Sequence, residues 1–282
     1  MITGLDHIVV LLTDIDAGTK TYQLLLGRAP SWRSEGGGSR TVLFTLDNMS
    51  LELMAPMGDS EAAERIRDAI TRGGEGLASI CFRTGDIERM HRRLERVALQ
   101  PETPADVESR DQVTGASLHW KRTRAATDLT RGIRMFFLEL ADERPRSRAT
   151  TDSPILGLDH VVVSTADPER AAALYGARLG LDMALDRSHQ DWGRLMFFRC
   201  GDLIVEVVCK PVAGADQTHD RLWGLSWRVA DIEAARARLL AAGIGVTEVR
   251  PGRKPGTRVM SLRDGTCGIP TLVLERAAQR VS

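Results

Sequence analysis

Two histidines occupy the same place in two nearly identical apolar stretches. His7 lies in GLDHIVV, and His160 lies in GLDHVVV. An imidazole in such a run can act as a metal ligand or as an acid or base near neutral pH. It can equally be a structural strand residue held by a backbone carbonyl group. The recurrence indicates a duplicated chain and leaves both roles open.

Four glutamates form the second set of residues with chemical potential. Each lies inside an apolar run, in SLELM, FLEL, IVEVV and VLER. They are Glu52, Glu139, Glu206 and Glu275. A buried carboxylate needs a cation, a proton or water, and an apolar cup raises its pKa toward the range useful for proton transfer. The alternative is that these positions face solvent at alternate strand sites.

A unit repeated four times must position these residues. Each unit has an apolar strand that ends in an aspartate, followed at once by an amphipathic helix. The aspartates are Asp14, Asp86, Asp167 and Asp231. Their carboxylates suit helix N-caps, and strand-like runs follow each helix. The sequence therefore predicts an α+β fold with one domain over 1–142, a polar linker over 143–154 and a second domain over 155–282.

These motifs resemble the vicinal oxygen chelate superfamily, which includes glyoxalases, methylmalonyl-CoA epimerases, extradiol dioxygenases and bleomycin-resistance proteins. The stretches LDHIVV, LELMAPMGDS and GEGLASICF resemble its epimerase and glyoxalase-like branch. The resemblance covers nearly the whole chain. It implies four βαβββ modules that form two tandem half-barrel domains, each with a cup-shaped site. The second module is predicted to be the least regular, because ESRDQVTGASLHWKRTRAATDLTRG precedes its last strand.

The resemblance also implies a set of metal ligands on the first and last strands of each module. The sets are His7, Glu52 and Glu139 in the first cup, and His160, Glu206 and Glu275 in the second. One histidine with two carboxylates suits Mn, Fe, Co, Ni, Zn or Mg. The family usually supplies another histidine seven positions before the second capping aspartate of each cup. Ser79 and Gly224 stand there instead, so metal binding remains open.

Further site residues are predicted from side-chain type and position. Glu52 and Glu139 are the predicted catalytic groups, and Ser79, Trp120 and Trp227 the predicted substrate contacts. Trp192 and Trp223 line a cup or fill a core. Three arginines crowd the irregular stretch of the second module, where they hold a substrate carboxylate or phosphate or form a solvated loop. They are Arg122, Arg124 and Arg131.

Composition narrows the classes of partner and compartment. The 282 residues carry 38 basic and 38 acidic side chains, and this balance argues against nucleic acid or an anionic membrane as the main partner. No apolar run approaches the roughly 18 residues that span a bilayer. The four cysteines form no C-x-x-C pair, and the N-terminus lacks the features of a signal peptide. We expect a cytoplasmic protein that acts on a small molecule as a monomer or homodimer.

Three functions fit these observations. The first is a metal-assisted isomerase, epimerase or lyase acting on a small substrate with neighbouring oxygens, and it is the favoured hypothesis. The second is a binding protein that sequesters a small hydrophobic or aromatic compound. The third is an atypical extradiol-type dioxygenase. The iron of such an enzyme needs two histidines and one carboxylate, and Gly224 stands where the second histidine is expected, so this residue counts against the third function.

Overall fold

The computed structural model describes residues 1–190, 193–209 and 218–276 of the chain. Trp192 lies outside these residues. Each half of the chain forms one mixed eight-stranded sheet with a few helices, which confirms the predicted α+β class and the two tandem half-barrels. No helix of the described part has both the length and the apolar character needed to cross a bilayer.

The first half builds a sheet with the order β2-β3-β4-β1-β5-β8-β7-β6. Its elements are β1 (Ile2–Leu11), α1 (Ile15–Leu26), β2 (Trp32–Gly36), β3 (Ser39–Thr45), β4 (Ser50–Pro56), α2 (Glu61–Gly73), β5 (Gly76–Thr84), α3 (Ile87–Arg96), β6 (Ala105–Arg110), β7 (Ser117–Arg124), a 3-10 turn (Thr127–Thr130) and β8 (Arg134–Leu140). Strands β1 and β5 pair antiparallel at the centre, while β1–β4 and β5–β8 pair parallel.

The second half repeats this arrangement with the order β10-β11-β12-β9-β13-β16-β15-β14. Its elements are β9 (Gly157–Ser164), α4 (Pro168–Ala172) continued by a π-helical turn (Ala173–Arg178), β10 (Asp182–His189), β11 (Gly193–Cys200), β12 (Leu203–Cys209), β13 (Arg221–Val229), α5 (Ile232–Ala241), β14 (Arg250–Pro251), β15 (Thr257–Leu262) and β16 (Thr271–Arg276). The sequence repeat is therefore also a structural repeat.

The second module is more regular than its sequence predicts. The stretch expected to be irregular supplies part of β6 and all of β7, which form an ordinary hairpin of the sheet. The strands were hard to predict because the stretch is rich in polar residues on both faces. One face of the hairpin lies on the cup and the other on the exterior. Helix α2, between the two modules, is an element that the repeat pattern did not indicate.

The predicted aspartate caps are confirmed at all four helices. The Asp14 carboxylate accepts hydrogen bonds from the backbone N–H groups of Asp16 and Ala17, at 3.0 and 2.9 Å. Asp86, Asp167 and Asp231 cap their helices in the same way. Each cap satisfies N–H groups that the first helical turn leaves free, and so fixes where the strand stops and the helix begins.

The main hydrophobic core is a cluster to which both halves contribute, and two smaller clusters lie in the first half. On β1 the side chains of Ile8 and Val10 enter this core, and alternate residues point to the concave face. The linker packs closely despite its polar composition. Ser147 is buried, and its hydroxyl accepts a hydrogen bond of 3.0 Å from the Thr45 backbone N–H.

Candidate functional site

The concave face of the first sheet surrounds a cavity of about 750 Å³. Alternate residues of the four central strands form its floor: His7, Val9 and Leu11 of β1, Glu52 and Met54 of β4, Ser79 and Cys81 of β5, and Phe136 and Leu138 of β8. Trp32 and Trp120 contribute to the surrounding walls. Two of the predicted substrate contacts, Ser79 and Trp120, therefore line the cavity.

A carboxylate–histidine–carboxylate group occupies this floor. The Nδ1 atom of His7 lies 2.7 Å from Asp6 Oδ1, and its Nε2 atom lies 3.2 Å from Glu52 Oε2. Only 9% of the His7 side chain and 16% of the Glu52 side chain are exposed, so both are shielded yet reach the cavity. Asp6 thus fixes the ring, and Nε2 and Glu52 are the two polar groups directed at a ligand.

A β-bulge explains how side chains of adjacent residues can meet. In the β1–β5 ladder Leu5 lies opposite Phe82 and His7 opposite Cys81, so Asp6 has no partner residue. The extra residue tilts the strand, and the Asp6 carboxylate stays fully buried beside the ring of His7. The guanidinium groups of Arg83 and Arg144 also bind this carboxylate, at 3.2 and 2.8 Å.

The charges around His7 favour its protonated form. Burial alone would lower the pKa of His7, but Cys81, Asp6 and Glu52 together raise it to about 10. For Asp6, burial acts to raise the pKa, while the hydrogen bond from His7 and the charges of Arg144 and Arg83 hold it well below the ordinary value. The two neighbouring carboxylates therefore favour the imidazolium form of His7 at the floor of the cup.

The second cup contains the same group of residues. His160 Nδ1 lies 3.1 Å from Asp159 Oδ1, and Nε2 lies 3.2 Å from Glu206 Oε2. Asp159 is again the bulge residue, since His160 pairs with Ser226 and the next pair is Leu158 with Trp227. Ser226 takes the place that Cys81 has beside His7, and its hydroxyl lies 2.6 Å from His160 Nε2. Burial raises the pKa of Glu206.

Glu139 and Glu275 do not join these groups. Glu139 Oε2 accepts a hydrogen bond of 2.7 Å from the Ile87 backbone N–H, and Glu275 Oε2 accepts one of 2.9 Å from Ile232. Both side chains thus serve the first turn of a helix, on the face of the sheet opposite the cup. Both glutamates were predicted from the sequence to lie in the cups, and the structure corrects this. Neighbouring residues of a strand face opposite sides of the sheet, and these two glutamates are at positions that face away from the cup.

The strand register identifies the residues that correspond to Glu52 and Glu206 in the other modules. Glu52 lies opposite Val9, which comes two residues after His7. In the second module Cys81 comes two residues after Ser79, and the residue opposite Cys81 is Phe136. In the second cup the residue opposite Ser226 is Leu272. In the first module of each cup, the histidine and glutamate positions carry polar side chains. In the second module of each cup, the glutamate position carries an apolar side chain.

This donor set does not fit a resident divalent metal. Each cup offers one imidazole and one carboxylate, and the first adds the Cys81 thiol, whose pKa is raised by burial so that it stays a poor ligand. A protein metal site usually needs three or more side-chain ligands. Within the described part of the chain, no group of three His, Cys, Asp or Glu side chains is placed to hold a metal ion. A histidine at position 224 would also be obstructed, because a Cβ on Gly224 would lie 2.8 Å from the Pro270 carbonyl oxygen.

Elemental analysis of protein purified without chelator tests this conclusion. We expect well under one equivalent of Mn, Fe, Co, Ni or Zn per chain, because metal binding would also require His7 to lose its proton. His7→Ala and His160→Ala should leave the metal content unchanged. One equivalent that is lost in only one of these variants would contradict the conclusion and locate a metal-binding cup.

The remaining residues that the sequence suggested as contacts differ in their placement. Trp227 has no exposed surface and packs in the main core, because Ser226 is the residue of β13 that faces the cup. It is therefore not a substrate contact. Trp223 is 47% exposed. Arg131 pairs with Asp220 at 3.0 Å, whereas Arg122 and Arg124 do line the first cavity.

Two residues of the candidate site, Asp6 and Arg144, are not among those predicted from the sequence. Asp6 precedes His7 in the repeated GLDH motif, and the recurrence of that aspartate as Asp159 was the available signal. Arg144 comes from the linker, has a side chain only 8% exposed, and places its guanidinium 5.7 Å from the Trp120 ring centroid. No local pattern connects a linker arginine with a cup formed by distant strands.

The fold and the cups define the class of protein. Residues 5–156 match the family model of the glyoxalase-like domain, and residues 159–260 match that of the glyoxalase/bleomycin resistance protein/dioxygenase superfamily. The chain belongs to this superfamily, the vicinal oxygen chelate proteins, with two glyoxalase-like domains in tandem. No curated protein sequence matches it.

Solved structures with the same fold cover nearly the whole chain. A 4-hydroxymandelate synthase variant from Streptomyces coelicolor aligns with TM-score 0.72 and 14% identity over 98% of this chain and 93% of its own. The Mn(II)-bound glyoxalase from Novosphingobium aromaticivorans gives 0.65 and 13%, over 97% and 82%. A catechol 2,3-dioxygenase gives 0.63 and 14%, over 99% and 90%. At these identities the likeness establishes the fold alone.

Proposed function

We propose that the first cup is the active site of an isomerase, epimerase or lyase that moves a proton on a small oxygen-bearing substrate without a resident metal. The observation that carries this proposal is the contact between His7 Nε2 and Glu52 Oε2 at the floor of the cavity. A base and a proton donor lie side by side, and Asp6 holds the donor in place from behind.

The chemistry follows from the roles of the two groups. The Glu52 carboxylate accepts a proton from a carbon next to a substrate carbonyl group. The charge that develops on the carbonyl oxygen is stabilised by the N–H of the His7 imidazolium. Return of the proton from Glu52 to another atom gives isomerisation. Epimerisation requires a proton from solvent on the opposite face while Glu52 releases its own proton to solvent, and loss of a neighbouring leaving group gives a lyase reaction.

The buried Asp6 sustains this arrangement through the reaction. Its hydrogen bond to Nδ1 leaves only Nε2 of the ring for the substrate. Arg83 and Arg144 balance the Asp6 charge, so the proton stays on the imidazolium. The apolar floor residues Val9 and Leu138 limit water around the reacting atoms, which strengthens the hydrogen bond to a developing oxyanion.

A binding protein is the second candidate function. The observation in its favour is that two apolar side chains of β8, Phe136 and Leu138, face the floor of the cavity. A protein that only retains a small molecule needs apolar contact and few polar groups. It does not need a proton donor and acceptor in contact at the floor. A dioxygenase is favoured less, because each cup has one histidine where its iron would need two.

Proton exchange in D₂O tests the proposal. Small carbonyl compounds with an acidic C–H bond, both neutral ketones and carboxylate-bearing ones, are incubated with the protein and followed by proton NMR. We expect at least one compound to lose its C–H signal at a rate that depends on protein concentration. A compound that binds but neither exchanges nor changes would support the binding function instead.

A further inference from the structure

One wall of the first cup has three arginines around a single aromatic ring. The guanidinium carbons of Arg122 and Arg124, both on β7, lie 5.1 and 5.9 Å from the Phe136 ring centroid. Arg134 lies two residues before Phe136 on β8 and lines the same cavity. Three cations therefore share one small surface inside the cup, and this needs an explanation because like charges repel.

Protein carboxylates balance only part of this charge. Arg124 pairs with Glu102, but Arg122 and Arg134 form no ion pair with any described residue. The pKa of Arg134 is lowered by burial and by the neighbouring charges of Arg124 and Arg72. The wall is thus electrostatically unfavourable when no anion is present.

The rest of the cavity does not supply enough negative charge to balance these arginines. Six arginines and three glutamates line it, and three of the arginines pair with carboxylates outside the lining: Arg65 with Glu61, Arg124 with Glu102 and Arg144 with Asp6. The arginines without an ion pair among the described residues are Arg110, Arg122 and Arg134. Two of the three lining glutamates are already engaged, Glu35 with Arg40 at 3.0 Å and Glu108 with the Ser117 hydroxyl at 2.8 Å. The third, Glu52, lies against His7.

Buried donors without acceptors mark the same wall. Arg124 Nε and Trp120 Nε1 have no hydrogen-bond partner among the described residues. A buried donor that lacks an acceptor costs about 1–3 kcal/mol, and native structures contain few of them. Both atoms are shielded from solvent, so the positive charge available to an oxyanion in the cavity is that of Arg122 and Arg134.

We propose that the first cup binds its substrate through an oxyanion group, a carboxylate or a phosphate, held by Arg122 and Arg134 beside Phe136. This inference rests on the proposed function, since it defines the substrate class of the same site. The ring of Phe136 offers an apolar surface for the part of the molecule next to the anion.

The strand register relates this subsite to the reacting groups. Phe136 pairs with Cys81, and Cys81 pairs with His7, so Phe136 lies two strands from His7. Two strand spacings amount to about 10 Å. The oxyanion and the reacting carbon of the substrate are therefore separated by several bonds, which favours a medium-sized organic anion over a two- or three-carbon acid.

Calorimetric titration with matched probes tests the subsite. The anionic probes are 4-phenylbutanoate and phenylphosphate, and 4-phenylbutanamide is the neutral probe. We expect the anions to bind wild-type protein, with an affinity that falls as salt is added, and the amide to bind at least tenfold more weakly. Arg122→Gln and Arg134→Gln should each weaken anion binding by about tenfold or more.

A control variant separates the subsite from general charge effects. Arg170→Gln removes one exposed arginine that pairs with Asp167 in the second half, and it should leave anion affinity unchanged. The ligand-free melting temperature of Arg134→Gln should be equal to or above that of wild type, because the substitution removes a repelled charge. A merely structural Arg134 would give a lower melting temperature and unchanged anion affinity.

Three results would overturn the inference: no anion binding at millimolar concentration, equal binding of the amide, or equal loss in Arg170→Gln.

Glu52→Gln distinguishes this inference from the proposed function. If anions still bind Glu52→Gln but no carbonyl compound exchanges protons with wild type, the subsite stands and the proton-transfer proposal fails. If exchange occurs with neutral ketones alone, the proton-transfer proposal stands and the oxyanion subsite fails.

Discussion

Glu52→Gln is expected to reduce substrate proton exchange by about 10³-fold, since general acid–base groups typically contribute about 10²–10⁴-fold. The amide has nearly the shape of the carboxylate but cannot accept the substrate proton at neutral pH. His7 keeps its hydrogen bond to Asp6, so the floor of the cup stays folded. The rate of C–H signal loss in D₂O measures the effect, and thermal unfolding checks that the fold is retained.

Two matched variants serve as controls for this prediction. Glu206→Gln makes the same change in the second cup, where the glutamate also contacts a histidine at 3.2 Å. Glu139→Gln makes it in the first domain, at a carboxylate that binds the N-terminus of α3. Both should retain the exchange rate within a few-fold. A large loss in Glu206→Gln alone would assign the reaction to the second cup, and no loss in Glu52→Gln would remove it as the base.

Asp6→Asn is expected to lower the free energy of unfolding by about 3 kcal/mol or more. Breaking a buried ion pair by neutralising one partner typically costs about 3–5 kcal/mol. The Asp6 side chain has no exposed surface, and three cations depend on it: His7, Arg83 and Arg144. Urea unfolding of the variant and of wild type at neutral pH measures the difference.

The lowered pKa of Asp6 predicts how the free energy of unfolding changes with pH. The folded-state pKa of Asp6 lies well below its ordinary value, so its contribution is complete above about pH 5 and is lost progressively as the pH falls through the acid range. Wild-type stability should therefore decline more steeply than that of Asp6→Asn between about pH 5 and pH 2. Parallel acid profiles would show that Asp6 is not the group responsible.

Asp159→Asn is the matched control in the second cup. Asp159 is bound by His160 and Arg276, and the Arg276 side chain is 42% exposed, so solvent can replace part of the lost interaction. The stability loss should be smaller than for Asp6→Asn. A loss of the same size or larger would mean that the cluster around Asp6 is not the main electrostatic support of the fold.

The duplication preserved one group of residues in both cups and diversified the rest. Asp–His–Glu recurs with contacts of 3.2 Å between histidine and glutamate in each cup. The first cup adds the arginine wall and has Cys81 beside His7, where the second has Ser226 beside His160. The two cups therefore present different surroundings to any ligand, and we expect them to differ in ligand preference.

Local sequence determined the modules and their boundaries. An apolar run that ends in an aspartate specifies both a strand and the start of a helix, because the carboxylate can satisfy the free N–H groups of the first turn. Four such junctions and the repeated GLDH motif were enough to predict four modules, two domains and the cup that holds His7. These are short-range properties, readable from neighbouring residues.

Tertiary structure alone decided which polar residues share a cup. SLELM and FLEL look alike, yet Glu52 faces the cavity and Glu139 faces a helix N-terminus. A shift of one position moves a strand side chain to the other face of the sheet, and the register with neighbouring strands sets that position. The bulge at Asp6 and the arginine wall around Phe136 arise from pairing between distant segments, so no local pattern encodes them.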